Sequence, residues 1–163
     1  MNEASKRGRA NKRTGGNSER RLENLLKSWG LWCKRVPLSG ALKKEGFESD
    51  LHVSVYGRVR KLENKRRKAG FERFYELVAD GKAVVIEGFC AMVSQELFYD
   101  LINAKKPRAV ITIEDKQFKG LRGFFEQDNA DIVTMVSPRK PFIFALCLPL
   151  WKELYQNCYD EVA

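Results

Sequence analysis

Leu22, Leu25, Leu26 and Trp29 recur at i, i+3, i+4 and i+7, one apolar stripe along a helix. Ser18 stands where a cap is wanted and Gly30 follows the last apolar position, so the spacing predicts a helix from Ser18 to about Trp29. Glu19, Arg20 and Arg21 fill its first turn. Leu31 to Val36 then reads as a strand, and Pro37 through Gly46 as a loop. Asp50–Val55 and Arg58–Lys65 are β-friendly runs around Tyr56-Gly57, the pattern of a hairpin with a two-residue turn. If Val55 faces Arg58, the register sets His52 opposite Lys61, Leu51 opposite Leu62 and Asp50 opposite Glu63. Lys65 shares a face with Glu63 because strand side chains alternate.

Beyond the basic run Arg66-Arg67-Lys68, the spacing of Phe71, Phe74, Leu77 and Val78 predicts a short helix. Ala83–Ile86 and Phe89–Val93 read as strands, Gln95–Ile102 as a helix, and Ala109–Ile113 as a strand after the basic linker Lys105-Lys106-Pro107-Arg108. The last third repeats the order. Phe118, Leu121, Phe124 and Phe125 suggest a helix, Ile132–Val136 and Phe142–Leu146 strands, and Trp151–Leu154 a further helix. This points to an internal duplication; any two helix–strand–strand–helix units share such spacing, and that is the plainer alternative.

With 163 residues the chain has room for one domain with a core. Residues 1–17 are rich in Lys, Arg, Gly, Asn and Ser and read as a flexible basic arm. Residues 18–163 then form one domain, with a core over about 18–93 and a repeat-like extension over about 94–163. The net charge of +9 favours an acidic partner, nucleic acid first. No apolar run approaches the roughly 18 residues of a membrane span, and no secretory h-region is present. The expectation is an intracellular, soluble protein without a membrane partner. Cys33, Cys90, Cys147 and Cys158 show no zinc spacing and read as reduced, mostly buried thiols. The single histidine, His52, reads as a strand residue beside the carboxylates, since nothing near it resembles a nucleophile elbow.

Asp50, Glu63 and Lys65 make a D-x(12)-E-x-K pattern on this hairpin. Like charges directly opposed across a ladder destabilise it, and a divalent cation relieves that conflict. Magnesium takes one or two carboxylates and several waters. Held by Asp50 and Glu63, it would lower the pKa of a bound water and polarise a phosphoryl oxygen. Lys65 would orient that water or neutralise developing charge. The backbone carbonyl of Asn64 and the carboxylate of Glu19 are candidate further ligands. Lys34, Arg35, Lys43, Lys44, Arg58, Arg60, Lys61, Arg66, Arg67 and Lys68 cluster around this pattern and suit phosphate contacts, which select shape over base sequence. A second E-x-K, Glu114-Asp115-Lys116, has no acid on a preceding paired strand. It reads as structural, with Glu114 or Asp115 capping the helix near Gln117, or as a decayed echo of the duplication.

An acid-bearing first helix, the loop Val36-Pro37-Leu38-Ser39-Gly40, then Asp50 and Glu63-Asn64-Lys65 resemble the PD-(D/E)xK nucleases, in particular the archaeal-type Holliday junction resolvases and their viral relatives. The resemblance covers about Asn17 to Val78. Ser49 stands where that family often has Pro, and Asn64 where it commonly has an apolar residue. The resemblance implies an α/β, restriction-endonuclease-like mixed β-sheet flanked by helices, here with an additional C-terminal α/β extension. It implies a magnesium-dependent endonuclease (manganese substituting) acting on DNA, branched DNA included, and a homodimer. Glu19, Asp50 and Glu63 would be metal ligands, Lys65 the catalytic lysine, and Ser39 a loop residue near the scissile phosphate. A less selective repair or restriction-type nuclease, a nucleic-acid-binding module without catalysis, and a protein-interaction domain are the competing readings.

Overall fold

The computed structural model describes residues 3–36 and 49–160. Ser39, Lys43 and Lys44, with the rest of the loop expected after Val36, lie outside the described residues. The chain folds as an α/β domain around one eight-stranded mixed sheet flanked by helices. The strands are β1 (Cys33–Arg35), β2 (Leu51–Val55), β3 (Arg58–Arg66), β4 (Lys82–Ile86), β5 (Cys90–Ser94), β6 (Ala109–Ile113), β7 (Ile132–Val136) and β8 (Ile143–Cys147). The helices are α1 (Glu3–Ser28), α2 (Glu72–Leu77), α3 (Gln95–Ile102), α4 (Lys119–Asp128) and α5 (Leu148–Asp160). Across the sheet the order is β1-β2-β3-β7-β8-β5-β4-β6. The C-terminal α/β segment is therefore not appended at a margin: β7 and β8 lie in the middle. Among the described residues no helix is long and apolar enough to cross a membrane.

The first helix begins at Glu3, well before the expected cap at Ser18. Residues 3–17 hold Ala, Lys, Arg and Glu among their glycines and polar residues, and those four are strong helix formers that carry the helix backward. Ser18 is thus an interior helix residue, and its hydroxyl serves the sheet instead. The C-terminus of α1 is as the sequence suggests. Gly30 takes φ +83°, Gly30 N–H donates to Lys27 C=O at 2.9 Å, and Leu31 N–H donates to Leu26 C=O at 3.2 Å, a Schellman closure that only a residue tolerant of positive φ makes cheaply.

The hairpin forms in the expected register from Val55↔Arg58 to Leu51↔Leu62. Tyr56 and Gly57 both have positive φ, +51° and +74°, as a type I′ turn requires. Tyr56 escapes the usual side-chain objection through its hydroxyl, which donates to the Leu101 and Ile102 carbonyls at 3.3 and 3.2 Å and ties the turn to the end of α3.

Two units of strand–helix–strand–strand–helix follow one another: β3-α2-β4-β5-α3 and β6-α4-β7-β8-α5. Each lends its first strand to the other. β3 runs parallel to β7, β6 runs parallel to β4, and the units meet where β5 pairs antiparallel with β8. Met92 faces Ala145 at this junction. Val84 and Ile111 line up outward from Met92, and Val133 and Glu63 outward from Ala145. The counterparts of Glu63 and Lys65 are therefore Ile111 and Ile113. Glu114-Asp115-Lys116 falls beyond that register and is no echo of the first E-x-K. It is no side-chain cap either: Phe118 holds the cap position before α4, neither it nor Glu114 makes a side-chain cap bond, and Asp115 pairs with Arg122.

The sheet separates two cores. One lies under α1, α3 and α5 and contains Leu22, Leu26, Leu62, Phe98, Phe144 and Leu154. The other lies under α2 and α4 and contains Val84, Met92, Phe125, Val133 and Met135. Cys33, Cys90 and Cys158 are buried free thiols and Cys147 is half-buried. Burial pushes the Cys33 thiol up to about 12, with Glu23 adding to the effect. Phe144 stacks on Phe98 with ring centroids 4.3 Å apart, and Trp29 closes over both. Phe144→Ala is expected to cost about 3–5 kcal/mol, read as a lower urea midpoint.

Candidate functional site

The C-terminal ends of β1 and β3 and the N-terminal end of β2 lie together at one end of the sheet, beside α1. Asp50 precedes β2, after Ser49 with φ +83°. The ladder stops at Leu51↔Leu62, so Asp50 is not the ladder partner of Glu63 that the hairpin register suggested. Its N–H donates to Leu62 C=O at 3.1 Å, and its C=O accepts from Val36 N–H at 2.9 Å. Its carboxylate turns into the sheet edge, where Oδ2 accepts the Asn64 N–H at 2.9 Å. The side chain thereby replaces a ladder bond, a substitution short Asp side chains make readily.

Glu19 projects from α1 beside Asp50. Its pKa is raised, first by burial and then by the Asp50 charge; Arg35 opposes the shift, and a hydrogen bond to Asp50 adds to it. Arg35 Nη2 stands 3.4 Å from Glu19 Oε2, while the Arg35 N–H donates to Glu23 Oε2 at 2.9 Å. Arg35, read from the sequence as a phosphate contact, is thus engaged with the acids.

Alternation along β3 divides the E-N-K triplet. Asn64 faces α1: its Nδ2 donates to Ser18 Oγ at 2.8 Å, and its Oδ1 accepts from Thr134 Oγ1 at 2.9 Å. A polar residue at this position is therefore a bridge between α1, β3 and β7, and a half-buried amide so satisfied fastens the three together. Glu63 and Lys65 face the α4 side, where Lys65 Nζ stands 3.3 Å from Glu63 Oε1 and 5.4 Å above the Phe124 ring. Arg67 lies over the same ring at 5.0 Å and over Phe71 at 5.6 Å. The sequence reading missed Ser18, Thr134 and Phe124. Only the Ser18 position carried a local signal, and it pointed to a cap.

Among the described residues no three His, Cys, Asp or Glu side chains gather as a metal-holding group. Glu19 and Asp50 come together, and Glu63 is paired with Lys65. The chemistry of the pair nonetheless suits a hard divalent cation, which takes carboxylate oxygens and keeps several waters. Such an ion would offset the repulsion between the two neighbouring carboxylates. Of the basic residues expected near the acids, Lys34, Arg58, Arg66, Arg67 and Lys68 are exposed, and Arg60 is buried in an ion pair with Glu153 at 2.7 Å.

No family model matches the chain, and no curated protein matches it. Among solved structures, Hjc of Archaeoglobus fulgidus, a Holliday junction resolvase from an archaeal hyperthermophile, is similar over 88% of this chain and 98% of its own. The identity is 14% and the TM-score 0.37. At that identity no residue's role carries from one chain to the other.

The raised Glu19 carboxyl has a sign-definite effect on stability. The folded state binds the extra proton between the unfolded pKa and the raised folded one, so stability falls as pH climbs through that window and stays lower above it. Glu19→Gln is expected to raise the melting temperature at neutral pH and to flatten its fall across mildly acidic pH, measured by thermal denaturation at several pH values.

Proposed function

We propose that this chain is a magnesium-dependent endonuclease that hydrolyses DNA phosphodiesters and prefers branched DNA, such as a Holliday junction, over linear duplex. The observation that carries the reading is the Glu19–Asp50 pair, two carboxyl groups set side by side at one end of the sheet in a chain with net charge +9. A structural role leaves that pairing without a purpose, since setting two half-buried acids side by side works against the fold.

Glu19 and Asp50 would hold the magnesium ion, with manganese as a substitute. The bound ion supplies an acidified water and a polarised phosphoryl oxygen. Asn64 keeps Asp50 aimed through its N–H, and its side chain fastens α1, which carries Glu19, to the sheet. Lys65 neutralises charge developing on the phosphate, and its contact with the Phe124 ring limits where the ammonium can go. Glu63 sets the position of that ammonium in the free protein and is a further acid for the cation once the phosphate attracts Lys65. The exposed Lys34, Arg66 and Lys68 suit backbone phosphates, and the order of contacts they offer selects DNA shape.

A binding module without catalysis is the second reading, favoured by the ion pair that Glu63 already makes with Lys65. One experiment separates the two: cleavage of matched linear, flap and four-way DNA with magnesium or manganese. The nuclease reading expects cuts, most on four-way DNA, and a loss of about a hundredfold or more in rate for Asp50→Asn and for Lys65→Ala, with DNA affinity retained. Binding without cleavage by the unaltered protein would establish the module. Affinity is further expected to fall by orders of magnitude between low and physiological salt if several phosphates are contacted; a flat salt response would count against both readings.

A further inference from the structure

At the margin of the sheet farthest from the candidate site lies β6, and its exposure is unusual for its sequence. Ala109-Val110-Ile111-Thr112-Ile113 is mostly β-branched, yet its first four residues are exposed. Val110 and Ile111, on opposite faces, are 40% and 39% exposed. An uncovered apolar edge is a template for another strand.

The hydrogen-bonding direction is set by β4. Glu87 N–H donates to Ile113 C=O at 2.9 Å, and alternate residues of a parallel strand bond the same neighbour. Ile113, Ile111 and Ala109 therefore bond inward, which leaves Val110 and Thr112 with N–H and C=O directed outward. The internal two-fold of the fold makes the same point. β3, the counterpart of β6, carries β2 antiparallel on its outer side. Among the described residues no strand occupies that place beside β6.

We propose that a second copy of this chain fills it, with β6 pairing antiparallel to the partner's β6 about a two-fold axis at Ile111, so that the two sheets become one. Val110 then exchanges hydrogen bonds with the partner's Thr112, and Ile111 packs on its own counterpart. Charge favours a second copy over an unrelated strand. Arg108 and Glu114 flank Ile111 at equal distances, so this register sets Arg108 against the partner's Glu114 twice over. A shift of two residues one way sets Arg108 against the partner's Lys116. The other shift leaves Arg108 against the partner's Thr112 and requires Lys106, which lies 4.2 Å above the Tyr159 ring. The interface leaves the β1–β3 margin, where the acids lie, uncovered.

Sedimentation velocity of the full chain over a concentration series tests this. The unaltered protein is expected to be a dimer that dissociates on dilution. Thr112→Pro removes an N–H that the sheet does not use, so it is expected to give a monomer with an unchanged circular dichroism spectrum. Arg108→Glu is expected to weaken the dimer by about tenfold, because two attractive contacts become repulsive. Adding Glu114→Arg to it is expected to restore the original dissociation constant. A protein monomeric at its highest soluble concentration, a dimer indifferent to these changes, or a double variant no tighter than Arg108→Glu alone would each overturn the proposal, whether or not the chain cuts DNA.

Discussion

The antiparallel pairing of β5 with β8 is the constraint on which the rest of this structure depends. It is where the two units join, and it lies between two cores, so successive residues must be apolar on both faces. Ala91, Met92, Val93, Phe144, Ala145 and Leu146 are all fully buried. Strands of this kind read as continuous apolar runs without alternation. Because each unit lends its first strand to the other, the sheet cannot be cut into an early half and a late half. β3 leaves the hairpin early in the chain and finds its inner neighbour, β7, only after three further strands and three helices have been placed.

The candidate site inherits its geometry from that arrangement. Held between β2 and β7, β3 has no freedom to rotate, and its alternation sends Asn64 toward α1 and Glu63 with Lys65 toward α4. Asn64 then joins Ser18 and Thr134, which seats α1 and brings Glu19 against Asp50. The result is a local conflict: two acids closer than electrostatics favours, tempered by Arg35. Conflicts of this kind between local chemistry and fold stability concentrate at functional sites.

Much of the architecture was legible in the sequence because it rests on local signals. The α1 stripe ends at Gly30 through a left-handed closure, the Tyr56-Gly57 turn sets the hairpin register, and α3, β6 and β7 occupy the spans their patterns suggest. Errors arose where a residue's role depends on something distant. Ser18 carries a cap signal, yet the helix runs past it and its hydroxyl meets Asn64 across the sheet. Arg35 reads as a free cation and is drawn to Glu19. Glu114-Asp115-Lys116 repeats a motif in letters but not in register, which only strand pairing reveals.

By itself, then, the order of residues determined the types of the elements, the turn, the basic character and the acids worth watching, since each follows from spacing or composition over a few neighbours. Only the tertiary structure decided that the last third occupies the centre of the sheet, that Glu19 is the acid beside Asp50 while Glu63 keeps to Lys65, and that β6 is left at an open edge. Those outcomes depend on which strands pair and which face each side chain takes, and pairing between segments far apart in the chain leaves no mark in either one alone.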